Sequence, residues 1–248
     1  THWATASPTM ASFLSNHDAF AGARVFDQLE GDERRMRLAA AVYLLQPGTP
    51  FVYYGEPIGQ AGGPGQEGDP ALRGPLSWTA DARTGGYSSA TPFRGLAANV
   101  ATHNVESQRR TPGSLRSHYQ ALIGLRNTHP SIARGSFEQG AAQGLVAVWQ
   151  RRLAEPGPAG AREHTVVLVN FDEAPAPAQV SGLPPGARLL SRLPASLKVC
   201  TLLLNPDQLL INVPIAYSGF EIAKTRLIGY GMDSSENGRN LPYIAELE

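Results

Sequence analysis

Lysine is missing from the first 197 residues of this 248-residue chain, where every strongly basic side chain is an arginine. Cysteine occurs once, as Cys200, so no disulfide can form within the chain and the redox compartment stays open. Charge of one sign is also missing in net terms, since 21 basic side chains face 21 acidic ones. That balance leaves no basic footprint for nucleic acid, and no nucleic-acid partner is expected. No apolar run approaches the ~18 residues that a spanning helix needs, so no membrane partner is expected either. An initiator methionine and an apolar leader are absent from the opening Thr1-His2-Trp3, an opening expected of the middle of a domain. The location of the protein stays unknown.

What is present is uneven. Before residue 198 isoleucine occurs only as Ile58, Ile123 and Ile132. Beyond it come Lys198, Lys224, Ile211, Ile215, Ile222, Ile228 and Ile244, with Asn205, Asn212, Asn237 and Asn240. The shift points to a break in origin such as a fusion, a frameshift or an assembly error, with chance in a short window as the alternative.

The organising stretch is Ser12-Phe13-Leu14-Ser15-Asn16-His17-Asp18, an apolar run that breaks into three polar residues. Met10 to Leu14 read as a short buried strand that presents Asn16, His17 and Asp18 at its end. Barrel enzymes place their chemistry at the carboxyl ends of such strands. The plainer alternative is a His-Asp pair that merely caps a turn. Next, Ala19 to Gln28 reads as a loop carrying Arg24. Asp32 is a plausible N-cap for a helix with Leu38, Val42 and Leu45 on its apolar face, stopped by Gln46-Pro47-Gly48. Pro50-Phe51-Val52-Tyr53-Tyr54-Gly55 follows as a buried parallel strand. Residues 56–113 are rich in glycine and proline without periodicity, and a loop of that length implies a role. Ser114 is expected to cap a helix with Leu115, Tyr119, Leu122, Ile123 and Arg126 at helical spacing, ended by Pro130. Thereafter Leu145–Trp149, Thr165–Phe171, Ala187–Leu190, Leu209–Pro214 and Phe220–Ile222 read as short strands between turns, the pattern of an antiparallel sandwich.

These motifs resemble the α-amylase superfamily of glycoside hydrolases. Ser12–Asp18 is similar to that family's fourth conserved region, at the end of the seventh barrel strand. Pro47–Glu56 resembles its eighth strand, and Asn104–Gln108 with Ser114–Pro130 its last barrel helix and lead-in. Asp69–Trp78 resembles the loop after the eighth strand, usually worded Arg-Thr-Pro-Met-Gln-Trp, with departures at Gly74, Leu76 and Ser77. The fold implied is α/β: the C-terminal portion of a (β/α)8 TIM barrel followed by an antiparallel β-sandwich domain. The implied domains are 1–130, the seventh and eighth strand–helix units; 131–228, the sandwich; and 229–248, a mobile tail. The resemblance makes Asp18 the transition-state stabiliser, with His17, Asn16, Arg73 and Trp78 binding substrate. Loop aromatics such as Trp78, Tyr87 and Phe93 would stack on sugar faces or pin the loop.

The two groups that break the bond are missing. Retaining glycosidases need a nucleophile and an acid/base roughly 5–5.5 Å apart. In the resembling family these end the fourth and fifth strands, upstream of the Asn16-His17-Asp18 segment. Gly22-Ala23-Arg24-Val25-Phe26-Asp27 places its Asp one residue too late for the nucleophile motif, and Glu56 is expected to make a structural hydrogen bond. The chain therefore resembles a fragment of a retaining glycosidase acting on α-glucosidic bonds, inactive alone. The alternatives are a fragment of a transglycosylase or trehalose-forming isomerase, a noncatalytic α-glucan binder, or a nonfunctional truncated product. An α-glucan or oligosaccharide is the partner implied. No cofactor is expected in this chain, although calcium is possible in the complete enzyme. No Gly-x-Ser-x-Gly elbow, His-Glu-x-x-His helix or paired zinc spacing is present. His103, His118, His129 and His164 are expected at surfaces or caps.

Overall fold

The computed structural model of the chain describes residues 11–153, 163–176, 178, 199–204, 215–221, 226–228 and 245–247. It divides into a first compact unit, residues 1–181 with 193–195, and a second, residues 182–192 with 196–248.

The first unit opens with strand β1 (Ala11–Ser12), followed by helices α1 (Val25–Gln28) and α2 (Glu33–Leu45) and then strand β2 (Thr49–Pro50). The strands pair in parallel, Ala11 opposite Thr49, which makes the expected strand–helix–strand crossover. Both strands are shorter and less covered than the sequence suggests. Phe13 is 45% exposed and Phe51 is 58% exposed, so the buried strands expected at 10–14 and 50–55 need correction. Among the described residues neither strand has a second neighbour. A two-stranded sheet with open edges leaves uncovered the apolar side chains that further strands or helices would bury. Met10 itself lies outside the described residues.

Helix α2 starts as expected. The Asp32 side chain accepts the backbone N–H groups of Arg34 and Arg35, satisfying donors with no partner inside the helix. Its buried face is Met36, Ala40, Tyr43 and Leu44, together with Leu45. Leu38 and Val42 are only partly buried against that core. Positions i, i+4, i+7 and i+8 from Met36 form a wider stripe than the one read from Leu38, and the wider stripe faces inward.

That stripe packs on helix α5 (Leu115–Thr128), whose Leu115, Tyr119 and Leu122 join the same cluster while Ile123 turns outward. The Ser114 hydroxyl accepts from the Ser117 N–H, as expected of a cap. Pro130 does end α5, but it also begins a further turn, α6 (Pro130–Arg134). Proline at a first helical position loses no hydrogen bond. Between β2 and α5, residues 56–113 hold only a 3-10 turn at Glu56–Ile58, helix α3 (Asp69–Leu72) and helix α4 (Val105–Arg110), which Asn104 caps. The stretch is nonetheless anchored, with Ile58, Ala61, Leu72, Gln60, Ser77 and Asn104 all buried.

The two helices are joined at their ends by Arg126. Its Nη1 donates to the Leu44 carbonyl at 2.7 Å and the Gln46 carbonyl at 3.1 Å, and its Nη2 donates to the Gly48 carbonyl. One guanidinium of α5 thus serves carbonyls that the end of α2 leaves without helical partners.

Strands β3 (Glu138–Gln143), β4 (Val146–Arg152) and β5 (His164–Asn170) form an antiparallel sheet in that order. Val146 opposes Asn170 and Arg152 opposes His164. Trp149, Val167 and Val169 enter the core shared with α2 and α5. Gly135, between α6 and β3, has no room for a side chain, since an added Cβ would meet the Ser131 and Arg152 carbonyl oxygens.

In the second unit β6 (Val199–Leu204) pairs in parallel with β7 (Ile215–Glu221), and β8 (Arg226–Ile228) pairs antiparallel with β9 (Ala245–Leu247). The strands read at 187–190 and 209–214 lie outside the described residues, as does most of the tail from 229 to 248. Phe220 and Glu221 fall in β7.

Candidate functional site

The polar end of β1 folds back on itself. The Asn16 side-chain oxygen accepts from the Asp18 N–H at 2.8 Å, a local turn that Asn favours. Asn16 therefore shapes the turn, and His17 and Asp18 stand at its rim. His17 Nε2 lies 3.3 Å from Asp18 Oδ1.

The loop after β2 supplies the partner. Arg73 follows directly on α3, and its Nη2 donates to Asp18 Oδ1 at 2.7 Å and to Asp69 Oδ2 at 2.7 Å. Its Nε donates to the His17 carbonyl at 2.8 Å. The other Asp69 oxygen accepts from the Ala19 N–H at 2.7 Å, which closes a ring of contacts between the two strand ends. Asp18 and Arg73 are each 35% exposed at the side chain, so solvent screening leaves this pair little weight in stability. Its value is geometric. The described contacts converge on Asp18 Oδ1, while Oδ2 makes no hydrogen bond among the described residues and can accept from a hydroxyl.

The sequence-predicted residues thus divide. Asn16, His17, Asp18 and Arg73 come together. Trp78 instead lines an open groove of about 480 Å³ with Thr79, Val105, Glu106, Arg109 and Arg110. Trp78 is 47% exposed, while its backbone N–H is tied to the Gly85 carbonyl at 2.8 Å. Asp69 escaped sequence reasoning, although an acid four residues before an arginine on one helical turn is a readable pairing signal.

Glu56 takes the structural role expected of it. It is 4% exposed and its Oε1 accepts from Tyr43 at 2.6 Å and Tyr119 at 2.8 Å, joining α2 to α5. Burial pushes its carboxyl above the ordinary 4.5, and the two tyrosine hydroxyls only partly offset that. The same burial pushes both tyrosines well above their ordinary range. A carboxyl raised on folding contributes stability that is fully present below the unfolded value and is lost as pH rises toward the folded one. Glu56→Gln keeps an oxygen for both hydroxyls and cannot ionise. Thermal melts should therefore show its advantage over the natural chain growing from pH 4.5 upward. A gap independent of pH would contradict this.

Gly74, one of the departures from the resembling motif, has a physical cause. A Cβ there would lie 2.8 Å from the Gly95 carbonyl oxygen, a backbone atom that cannot swing aside. Gly74→Thr, which restores the motif's usual residue, is expected to destabilise the chain by about 1–3 kcal/mol. An unchanged denaturation midpoint would show that the loop yields.

The histidines are not all peripheral. His118 is buried, with Nε2 3.1 Å from the Arg37 carbonyl, and burial lowers its pKa. This corrects its expected surface position: it sits on α5 facing α2. His129 does cap, between α5 and α6, with Nδ1 3.0 Å from Glu163. Among the described residues no group of three His, Cys, Asp or Glu side chains is placed to hold a metal ion, and no helix is long and apolar enough to cross a membrane.

Comparison with known proteins agrees on the first half of the chain. The family model for the alpha amylase catalytic domain matches residues 1–135. The trehalose synthase/amylase TreS of Mycolicibacterium smegmatis is 31% identical over 156 residues, covering 59% of this chain and 26% of that protein. An isomaltulose synthase variant from Erwinia rhapontici NX5, solved in complex with D-glucose, superposes with a TM-score of 0.54 at 23% identity. That superposition covers 66% of this chain and 34% of the synthase. The chain thus spans about a quarter of the curated relative and a third of the solved one. A separate likeness joins 60 residues, 24% of this chain, to 30% of the hypoxanthine-guanine phosphoribosyltransferase of Mycobacterium bovis, at 52% identity.

Proposed function

Because the chain belongs to the α-amylase family, we propose that its first 130 residues are the seventh and eighth strand–helix units of that family's (β/α)8 barrel and hold one side of a sugar site. The observation that carries this reading is the ring of contacts linking Asp18, Arg73 and Asp69 across two parallel strand ends. Parallel strands joined by a helix place their carboxyl ends on one face, where barrel enzymes keep their chemistry.

On that face Asp18 would accept hydrogen bonds from sugar hydroxyls through Oδ2, the oxygen that the described contacts leave unused. Arg73 would hold the carboxylate in place, and His17 would donate beside it. A carboxylate here strengthens its hold as positive charge builds on the sugar ring, which favours the transition state over the ground state. The nucleophile and acid/base are not among these residues, so the chain by itself binds and does not cleave. In the complete enzyme the reaction would be hydrolysis of α-glucosidic bonds or their rearrangement, and the TreS likeness is compatible with both. The antiparallel sheet β3–β5 would begin the sandwich domain proposed for residues 131–228.

The reading is tested by saturation-transfer NMR between the full chain and maltose. Transfer to the maltose protons is expected, and its absence at millimolar sugar would sink the reading.

The phosphoribosyltransferase likeness favours a second reading for the end of the chain. We infer that these 60 residues lie in the second unit, where lysine, isoleucine and asparagine rise together. The chain would then join pieces of two ancestries, and the second unit would not complete the sandwich. Mass spectrometry of the natural protein after cleavage at glutamate should recover one peptide running from Ala174 to Glu221. Recovery of both flanks without that peptide would refute the join.

A further inference from the structure

We propose that Arg24 is a positioning residue, which fixes the backbone on one side of Arg73 and so aims Arg73 at Asp18. The inference rests on reading Asp18 and Arg73 as sugar-contacting groups.

Arg24 lies between α1 and the turn at 19–21, remote in sequence from Arg73, yet it is 2% exposed. A buried guanidinium is costly unless its donors are met. Here the two terminal nitrogens reach carbonyls of different segments, while the buried Nε has no partner among the described residues. Nη1 donates to the Tyr54 carbonyl at 2.6 Å, beyond β2, and Nη2 donates to the Leu72 carbonyl at 2.6 Å, at the end of α3. The guanidinium carbon lies over the Tyr53 and Tyr54 rings, 4.8 and 4.7 Å from their centroids, a cation–π attraction added to that of the nearby Asp27 carboxylate. Burial lowers the Arg24 pKa, and the same environment pushes the Tyr53 hydroxyl up to about 12.

The same two tyrosines bind the loop directly. Tyr53 donates its hydroxyl to the Leu72 carbonyl at 3.0 Å, and Tyr54 to the Gly74 carbonyl at 2.6 Å. Gln60 continues the fastening, donating to the Pro75 carbonyl at 3.0 Å and accepting from the Ser77 N–H at 3.1 Å. Both neighbours of Arg73 are therefore held from outside the loop. Its side chain is left to span the gap to His17 and Asp18.

Room for this arrangement comes from Gly55. Its φ is +81°, and an added Cβ would stand 2.9 Å from Arg24 Nη1 and 2.8 Å from Gln60 Oε1. A glycine is needed there both for the left-handed backbone and for the space the guanidinium fills. Lysine cannot replace Arg24, because a single ammonium does not present a planar fork to two carbonyls.

The test uses the full chain labelled with 15N-arginine. Among the described residues two arginine Nε–H groups donate to backbone carbonyls: Arg73 to His17 at 2.8 Å, and Arg151 to Ser136 at 2.9 Å on the β3–β5 side. Both should exchange slowly with solvent, and Arg73→Lys assigns the first. In Arg24→Lys and Arg24→Gln the Arg73 signal should exchange at least tenfold faster while the Arg151 signal holds. If either folded variant leaves the Arg73 signal unchanged, the proposal is overturned. Loss of the Arg151 signal in both variants overturns it too, since Arg24 would then serve folding in general. Maltose added to the natural chain separates the two ideas. A shift of the Arg73 signal is expected. Faster Arg73 exchange in the variants without any maltose response keeps the positioning role and removes the sugar reading.

Discussion

Replacing Arg126 by leucine should lower the stability of the chain by about 3–5 kcal/mol, the scale of leaving two or three buried carbonyls without their donor. The guanidinium donates to the carbonyls of Leu44, Gln46 and Gly48, three acceptors around the end of α2. Leucine fills much of the space and meets none of them. Each buried acceptor left without a donor costs about 1–3 kcal/mol, partly recovered where water enters. The loss reaches beyond one helix, because α2 and α5 share a cluster with Trp149, Val167 and Val169 from the sheet. The Trp149 indole also donates to the Leu45 carbonyl at 3.4 Å, so the end of α2 is where helices and sheet meet. For a domain of this size the helical signal in circular dichroism should melt roughly 10 °C lower. Arg126→Lys should recover part of the loss, having donors without the fork. A leucine variant that melts within a degree or two of the natural chain would show that these carbonyls find other donors.

The second large effect concerns the site. Asp18→Ala should weaken maltose binding by about ten- to a hundredfold, the weight of one or two hydrogen bonds to a charged group. The change should spare the fold, because the Asp18 side chain is 35% exposed and its ion pair is screened. Arg73 keeps its contacts with Asp69 and with the His17 carbonyl, so the loop stays in place without Asp18. His17→Ala should cost less than tenfold, since His17 is 64% exposed at the side chain. Titrating maltose into both variants and following the sugar resonances reads the difference. Equal affinities in the Asp18 variant and the natural chain would remove Asp18 from the site.

What could be read from the residues depended on how local the cause is. The caps at Asp32 and Ser114 were legible because a side chain there bonds N–H groups two or three positions on. The ion pair of Asp18 with Arg73 was not legible, since 55 residues separate them and the family resemblance places both at one sugar site without joining them. Burial of the strands was misjudged because it depends on neighbours. An apolar run such as Pro50 to Gly55 shows that cover is needed, and Phe51 at 58% exposure shows that the described chain does not supply it. The inward face of α2 was read correctly at Leu45 but too far round at Leu38 and Val42, which are only partly buried beside a stripe built on Met36, Ala40, Tyr43 and Leu44. Arg24 gave no signal at all. A lone arginine in a loop looks solvated, and only the convergence of Tyr53, Tyr54 and Leu72 makes it a clamp. Strand β3, Glu138–Gln143, was missed because Gln139, Gly140 and two alanines carry little strand propensity, and its pairing with β4 decides it instead.

The central claim is that this chain holds the sugar-binding side of an α-amylase-family site without the carboxylates that break the bond. One NMR sample of the full chain with maltose tests it, read first for saturation transfer and then for products after prolonged incubation. The account predicts transfer that disappears in Asp18→Ala, with the sugar remaining maltose throughout. Glucose, or a new disaccharide, formed by the natural chain and not by the Asp18 variant would contradict it, because the bond-breaking groups would then have to lie within these 248 residues.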